Sequence, residues 1–371
     1  MNKIIYLDAA ASALKPDVVI DAEMDFLRNK YANAGRGICP RAAAVDDMVR
    51  GARGAVADFI HANENQIVFT SGATDALNRA HDIILNTIGG GKKVLRVGVS
   101  YIDHHSARMP WMMSEKAGRC ELVVCPLDDK YNIDVSKIVD VDVMVITAMS
   151  NVFGVAQDVA EIVRVAHEKN PDVITVIDAA QYVAHAEINA AAWGADFICF
   201  SGHKIGADTG LGVMYIRDAA RFAPDRFGGG MVNKIIGDEL IFNDGVHGFE
   251  AGTLPLTQIA GFPAAIDAWR AWPGAHDIIG AMWDALSQNP RIKILTARDA
   301  SVLTFVARDI HVLDLGAYAG ARGLCMRVGN MCASWAMRAL HIPGAARLSV
   351  GPWNTMDDAI RATEIINGIV K

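Results

Sequence analysis

Seven short runs of apolar and β-branched residues punctuate the chain, at 66–70, 93–99, 121–126, 141–149, 173–178, 195–200 and 211–216. Amphipathic stretches stand before and between them. Residues 46–61 place Val49, Ala52, Ala55, Val56 and Ile60 on one helical face, and helical stretches follow at 75–85 and 159–168. Strands alternating with helices in this order predict an α/β fold, a mostly parallel central sheet flanked by helices and covered on both faces.

The pattern changes after residue 220. Gly228-Gly229-Gly230 breaks the rhythm, and a helix is expected over 256–271. Helices are then expected at 278–288, 333–340 and 356–370, with strands at 291–296, 301–307, 323–328 and 347–350. This reads as a large domain over 1–265 and a smaller C-terminal α+β domain over 266–371. Residues 1–14 are candidates to pack on the small domain. A chain of 371 residues has the length for two domains.

Composition narrows the function classes. Hydrophobic residues make up 52% and charged residues 21%, as in globular proteins. Lys plus Arg is 35 against 42 Asp plus Glu, a net charge of −7, and no long basic block is present, so nucleic acid is not expected as a partner. No apolar stretch reaches the 18 or so residues of a membrane span. The run Ile4-Ile5-Tyr6-Leu7 before Asp8 is too short for the core of a secretion signal, and a cytoplasmic location is expected. Of the six cysteines, Cys39, Cys120, Cys125, Cys199, Cys325 and Cys332, none forms a Cys-x-x-Cys pair and none has zinc-ligand spacing with histidine, so no metal is expected. All but Cys332 read as core thiols.

Ligands of open α/β sheets sit beyond the carboxyl ends of the strands. Three such ends carry chemistry. The run 173–178 ends in Asp178, followed by Ala179-Ala180-Gln181; this carboxylate is either a cap for the next helix or a charge awaiting a partner. The run 195–200 leads into Ser201-Gly202-His203-Lys204, which makes Lys204 either a surface lysine in a turn or a partly desolvated amine able to form a Schiff base. Thr70-Ser71-Gly72-Ala73-Thr74-Asp75 is either an ordinary helix cap or an anion cradle at a helix start. Gly89-Gly90-Gly91-Lys92 lacks the spacing of a nucleotide-binding P-loop and reads as a helix-to-strand turn. A phosphate cradle, a carboxylate and a lysine at the ends of strands in one sheet are what pyridoxal 5′-phosphate requires: an anchor, a partner for the pyridine nitrogen, and an amine for the aldehyde.

The motifs line up from end to end with one family. They are Tyr6-Leu7-Asp8-Ala9-Ala10-Ala11-Ser12-Ala13, Tyr31-Ala32-Asn33, Thr74, Asp103-His104-His105-Ser106, Ser150-Asn151-Val152-Phe153-Gly154, Asp178-x-x-Gln181, Ser201-Gly202-His203-Lys204, Phe249-Glu250-Ala251-Gly252-Thr253 and Arg327-Val328-Gly329-Asn330-Met331-Cys332-Ala333. In their order and spacing the chain resembles the fold-type-I pyridoxal-phosphate enzymes of the class V aminotransferase superfamily, and among them the group II (Suf-type) cysteine desulfurases.

That resemblance implies roles. Lys204 is the Schiff-base lysine, Asp178 pairs with the pyridinium nitrogen, and Gln181 bonds the ring hydroxyl. His104 stacks on the ring and shuttles protons, while His105 reads as a structural imidazole. Ala73, Thr74, Ser201 and His203 bind the phosphate, and Thr253 reaches the phosphate in the other subunit of a homodimer. Asn151, Arg347 and Arg327 lie on the substrate side, with the guanidinium of Arg347 suited to a carboxylate. Cys332, just before the helical run 333–340, is the nucleophile that takes sulfur from L-cysteine, or selenium-side chemistry from selenocysteine, and passes sulfur to an acceptor protein for iron–sulfur assembly or another thiolation. Related C–S or C–Se lyase, aminotransferase or epimerase reactions, and a catalytically silent homologue, are the alternatives. The chain departs from the group pattern at Asn330-Met331, where two histidines usually precede the cysteine, at Gly35, where a histidine is common, and over Gly206-Ala207-Asp208-Thr209-Gly210.

Overall fold

A computed structural model describes residues 4–35, 37–89, 94–274 and 276–371. Strand β1 (Ile5–Tyr6) stands apart from the main sheet. That sheet is built from β2 (Ile67–Thr70), β3 (Leu95–Ser100), β4 (Cys120–Cys125), β5 (Val143–Thr147), β6 (Ile174–Asp178), β7 (Phe197–Ser201) and β8 (Gly212–Ile216). Its order is β2-β8-β7-β6-β5-β3-β4. Neighbours are parallel except at β8, which runs antiparallel to both β2 and β7. The segment 202–211 between β7 and β8 is too short for a parallel crossover, which takes about a dozen residues or more. The expected mostly parallel α/β sheet is therefore present, and β2, β3, β5, β6 and β7 all end at one edge.

Side chains alternate across this sheet and feed two cores. Ile67, Phe69, Met144, Ile146, Ile177, Ile198, Phe200 and Val213 join a layer with the helices Pro40–Phe59 and Leu256–Arg270. Val68, Val143, Val145, Val176, Phe197 and Met214 join the other, with the helix Ala73–Ile88. Each large side chain buried completely, such as Phe197 or Phe200, contributes roughly 1.5–3 kcal/mol.

Several elements differ from the sequence reading. The helix expected from 46 begins at Pro40, which lacks an N–H and so suits a first helical turn. The helix His105–Lys116 carries Pro110 in its interior, which masks its helical pattern. The hairpin of β9 (Val232–Ile236) and β10 (Glu239–Phe242) stands where the glycine run suggested irregular chain. The helix-to-strand turn expected at 89–92 lies, from residue 90 on, outside the described residues.

A separate four-stranded antiparallel sheet is made of β11 (Ile292–Ile294), β12 (Leu303–Ala307), β15 (Ala345–Leu348) and β14 (Arg327–Gly329), in that spatial order. The strand expected over 323–328 breaks at Met326. Its first half, β13 (Leu324–Cys325), pairs in parallel with β1 instead. Ile5 and Leu7 thereby enter a core with Met282, Phe305, Leu348 and Ile366. Among the described residues no helix is long and apolar enough to cross a membrane.

Candidate active site

The common edge of the main sheet assembles a pocket of about 230 Å³ lined by Ala73, Thr74, His104, Asn151, Asp178, Gln181, Ser201, His203 and Lys204. These residues arrive from five strand ends, those of β2, β3, β5, β6 and β7. Lys204 stands on the turn Gly202–Ile205 after β7, which closes at Gly206 with φ 91°. This left-handed backbone favours glycine. The half-buried Lys204 ammonium donates to the Ala10 carbonyl. Burial, reinforced by the nearby Arg347, pulls its pKa down to about 8, with Asp178 and Asp8 opposing.

Asp178 ends β6 and is buried at 4% exposure. The Ala180 N–H donates to its Oδ1 at 3.0 Å. Burial pushes its carboxyl up to about 6, against that hydrogen bond. Three residues on, the buried Gln181 places its amide nitrogen 2.8 Å from His185 Nε2. Its Oε1 is buried with no hydrogen-bond partner.

The cradle after β2 depends on a close backbone approach. Gly72 has φ 150°, and a Cβ added at Gly212 on β8 would lie 2.4 Å from Gly72 Cα. The helix starting at Ala73 is thereby drawn against β7, and the Ala73 N–H donates to Ser201 Oγ at 2.7 Å. One cradle N–H is thus already engaged. Thr74 and Ser106 hydroxyls lie 2.7 Å apart, and His203 Nδ1 is 3.3 Å from Ser12 Oγ.

His104 caps the helix His105–Lys116, its Nδ1 accepting from Ser106 N–H. Burial, with Lys204 next, lowers its pKa to about 4, and burial does the same for His203. Asp103 beside it is fully buried and accepts from Ser100 N–H, Ser100 Oγ and Thr147 Oγ1 at 2.7–2.9 Å. This ties the ends of β3 and β5 behind the imidazole.

The substrate-side residues form a second layer. Buried Arg347 donates from Nη1 to the Asn151 carbonyl at 2.8 Å and from Nη2 to Asp8 at 3.3 Å. Arg327 donates to the other Asp8 oxygen at 2.6 Å. Asp8 thus bridges two guanidinium groups, and burial lowers the pKa of Arg347 to about 10 despite it. The sequence reading quoted Asp8 within a motif but assigned it no task.

Cys332 is exposed, on the loop between β14 and the helix Ser334–Ala339. That helix has six residues and starts one residue later than expected. Met331 and Cys332 both adopt left-handed backbone, φ 51° and 53°, which is unfavourable for residues with a side chain. Four hydrogen bonds hold the turn. Cys332 N–H donates to Asn330 Oδ1 at 3.2 Å and Ala333 N–H to the Asn330 carbonyl at 2.9 Å; Asn151 Nδ2 donates to the Met331 carbonyl and His105 N–H to the Cys332 carbonyl, both at 2.8 Å. His105 Nε2 also lies 2.9 Å from Ser334 Oγ.

Of the other cysteines, Cys120, Cys125 and Cys199 are buried, and burial raises all three thiols. Cys325 is only half-buried, and Cys39 is exposed, which corrects the expectation of core thiols. Cys39 caps the exposed start of the helix Pro40–Phe59, beside the wholly exposed Ile38. Thr253 does not line this pocket. It borders another cavity, of about 680 Å³, with Asn33, Gly35 and Arg53.

The model of the family "Aminotransferase class-V" matches residues 5–361. The chain belongs to this family. It is 32% identical to a cysteine desulfurase of Yersinia pestis, over 99% of this chain and 94% of that protein. It is 31% identical to a probable cysteine desulfurase of Vibrio cholerae, over 100% and 94%. A cysteine desulfurase from Thermococcus onnurineus, solved in its apo form, superposes with a TM-score of 0.93 at 27% identity, covering 99% of this chain and 94% of that one. The cysteine desulfurase CsdA of Escherichia coli gives 0.90 at 26% identity, with 98% and 94% covered.

The cofactor of the class-V family is pyridoxal 5′-phosphate, and the pocket fits it on its own observations. Asp178 is a buried carboxyl short of a cation. Gln181 Oε1 is a buried acceptor short of a donor. Hydroxyls, imidazole and a helix start cluster at Thr74, Ser201 and His203, the donor set a phosphate takes.

Proposed function

We propose that this class-V protein is a homodimeric cysteine desulfurase that converts L-cysteine to L-alanine and leaves the sulfur as a persulfide on Cys332. The observation that carries the reading is the exposed Cys332 on a strained loop bonded through its own carbonyl to His105 beside the pocket. The names of the relatives, matched over nearly the whole chain, point the same way.

When bound, the cofactor supplies an imine-forming aldehyde and a ring that withdraws electrons from the substrate carbon. The protein's residues do the rest. Asp178 holds a proton on the ring nitrogen, and Gln181 bonds the ring hydroxyl. Ala73, Thr74, Ser201 and His203 hold the phosphate, joined by Thr253 of a second copy of the chain. Lys204, whose amine loses its proton about 8, carries the substrate's α-proton on Nζ. His104, neutral at working pH, lies against the reacting centre. Arg347 and Asn151 orient the α-carboxylate, with Arg327 sharing Asp8 behind them.

Cys332 Sγ, as thiolate, attacks the substrate sulfur. An S–S bond forms and the Cβ–S bond breaks. Its electron pair stays with the carbon side, which takes up a proton and leaves as alanine. The persulfide sulfur goes to an acceptor protein, for iron–sulfur assembly or another thiolation.

The test incubates cofactor-loaded protein with L-cysteine and measures alanine together with the mass of the Cys332 peptide. Alanine and a gain of one sulfur on that peptide are expected. Absence of alanine overturns the reaction, and undiminished alanine from Cys332→Ser overturns the nucleophile. Selenocysteine in the same assay separates a selenium-preferring lyase. Mixed Thr253→Ala and Lys204→Ala chains regain activity only if one site draws on two copies.

A further inference from the structure

We propose that Trp335 is a positioning residue for Cys332: its indole, gripped by Arg108 and His105, holds the thiol-bearing turn against the helix His105–Lys116. The inference rests on the reading of Cys332 as the nucleophile.

Trp335 follows Cys332 by three residues, in the six-residue helix Ser334–Ala339. A helix that short gains little from its own hydrogen bonds and takes its direction from what it packs on. His105 and Arg108 stand three residues apart on the facing helix and so share one side of it. The indole meets both. The guanidinium carbon of Arg108 lies over its ring, 4.7 Å from the centroid. The His105 ring lies edge-to-face with it, centroids 5.2 Å apart and planes at 77°.

Arg108 is an unusual partner. It is buried at 7% exposure, and among the described residues no carboxylate pairs with it. Its Nη1 donates to the Ser100 carbonyl at 3.1 Å, while its Nε is buried with no hydrogen-bond partner. A buried cation so thinly answered is costly, and the electron-rich face of an indole offsets part of that cost. The contact therefore serves both sides: it accommodates the guanidinium and anchors Trp335, itself 8% exposed. The anchor matters because Met331 and Cys332 hold left-handed backbone, which residues of their kind leave unless neighbours impose it. Asn151 ties the turn ahead of Cys332, through the Met331 carbonyl, and Trp335 ties it behind.

The experiment compares wild type, W335F, W335L, R108M and the R108M/W335L double variant, with C332S as reference. In cofactor-loaded protein it reads single-turnover alanine release against cysteine concentration, which gives a limiting rate and a half-saturating concentration. In the apo-protein it reads hydrogen exchange of the His105 amide, which the Cys332 carbonyl holds. Thermal midpoints and the cofactor's absorption band verify the fold and the pocket, and W335M replaces W335L if the latter does not fold. We expect W335L to lower the limiting rate and to speed exchange at His105, each roughly three- to thirtyfold, the range of a desolvated cation–π contact. The half-saturating cysteine concentration and the band stay as in wild type. W335F, which keeps an aromatic face, stays within about threefold of wild type. The effects of R108M and W335L on His105 exchange fall short of additive, because each removes the same contact; the cycle cancels what Arg108 does at Ser100. Unchanged exchange at His105 in W335L overturns the proposal, as does strict additivity or a W335F as impaired as W335L. Faster exchange with undiminished alanine release overturns the proposal alone when C332S has lost alanine. Undiminished alanine from C332S overturns the reading of Cys332 and this proposal with it.

Discussion

The backbone N–H of His105 donates to the carbonyl of Cys332 at 2.8 Å. One end of a pocket helix and the turn that carries the thiol are therefore parts of a single hydrogen-bonded unit. The His105 ring extends it, reaching Ser334 Oγ, which also receives Asn330 Nδ2 at 3.3 Å.

Removing the middle of this unit tests what it does. Ser334→Ala removes the hydroxyl shared by His105 Nε2 and Asn330 Nδ2, leaving only the longer Ser334 N–H contact to the imidazole at 3.3 Å, while touching nothing in the cofactor pocket. Alanine release is expected to slow roughly three- to tenfold, the effect of losing one or two hydrogen bonds that pre-position the thiol. The absorption band and retention of the cofactor stay as in wild type. Steady-state kinetics and a spectrum check this.

Arg347 presents a planar fork already aligned by Asp8 and the Asn151 carbonyl. Lysine keeps the charge and loses the fork. Arg347→Lys is expected to raise KM for cysteine roughly ten- to a hundredfold, the range for hydrogen bonds to a charged group. Initial rates over a wide cysteine range measure this.

Asp178 gives a pH signature in the apo-protein. Its folded pKa is raised to about 6, so its contribution is fully present below the unfolded pKa near 4 and is lost as pH rises through 6. His104 and His203, lowered to about 4, act in the opposite sense: their contributions are present above 6.5 and are lost as pH falls through 4. The Asp178→Asn apo-protein therefore gains on wild type by about 2–3 kcal/mol between pH 4 and pH 7. Urea midpoints at the two ends of that range show it.

Asp196 lies at the start of β7 with no exposure, where it accepts from Thr175 N–H at 2.9 Å, Arg217 at 2.6 Å and Arg221 at 2.8 Å. It secures the strand that leads into the turn carrying Lys204. Asp196→Ala leaves the buried Thr175 N–H without its acceptor and takes a carboxylate from two half-exposed arginines, which water can reach, and a loss of about 1–3 kcal/mol is expected. Chemical denaturation measures it.

The strand ends were readable in the sequence because each apolar run stops at a residue whose chemistry is out of place in a core. Asp178, Lys204 and the Thr70–Asp75 segment announced themselves in this way, and the fold brings them to one pocket. What was not readable depends on pairing over long separations. Asp8 acquires its two arginines only because β1 joins β13, and nothing local in Tyr6-Leu7-Asp8 signals it. The bend at Met331-Cys332 was hidden for another reason. Methionine and cysteine are poor formers of left-handed backbone, so residues elsewhere, His105 and Asn151, impose the turn. Pro110 similarly concealed a helix that packing sustains.

Residues 5–10 reach their partners, Leu324, Arg347 and Ser349, near the opposite end of the polypeptide, and 339 residues separate Asp8 from Arg347. A nascent chain emerging from the ribosome completes the large sheet, with Asp178 and Lys204 in place, well before those partners have been synthesised. The Asp8 clasp on the two guanidinium groups is therefore among the last contacts made during biosynthesis, and a truncated translation product ending before residue 324 carries the lysine without its closure.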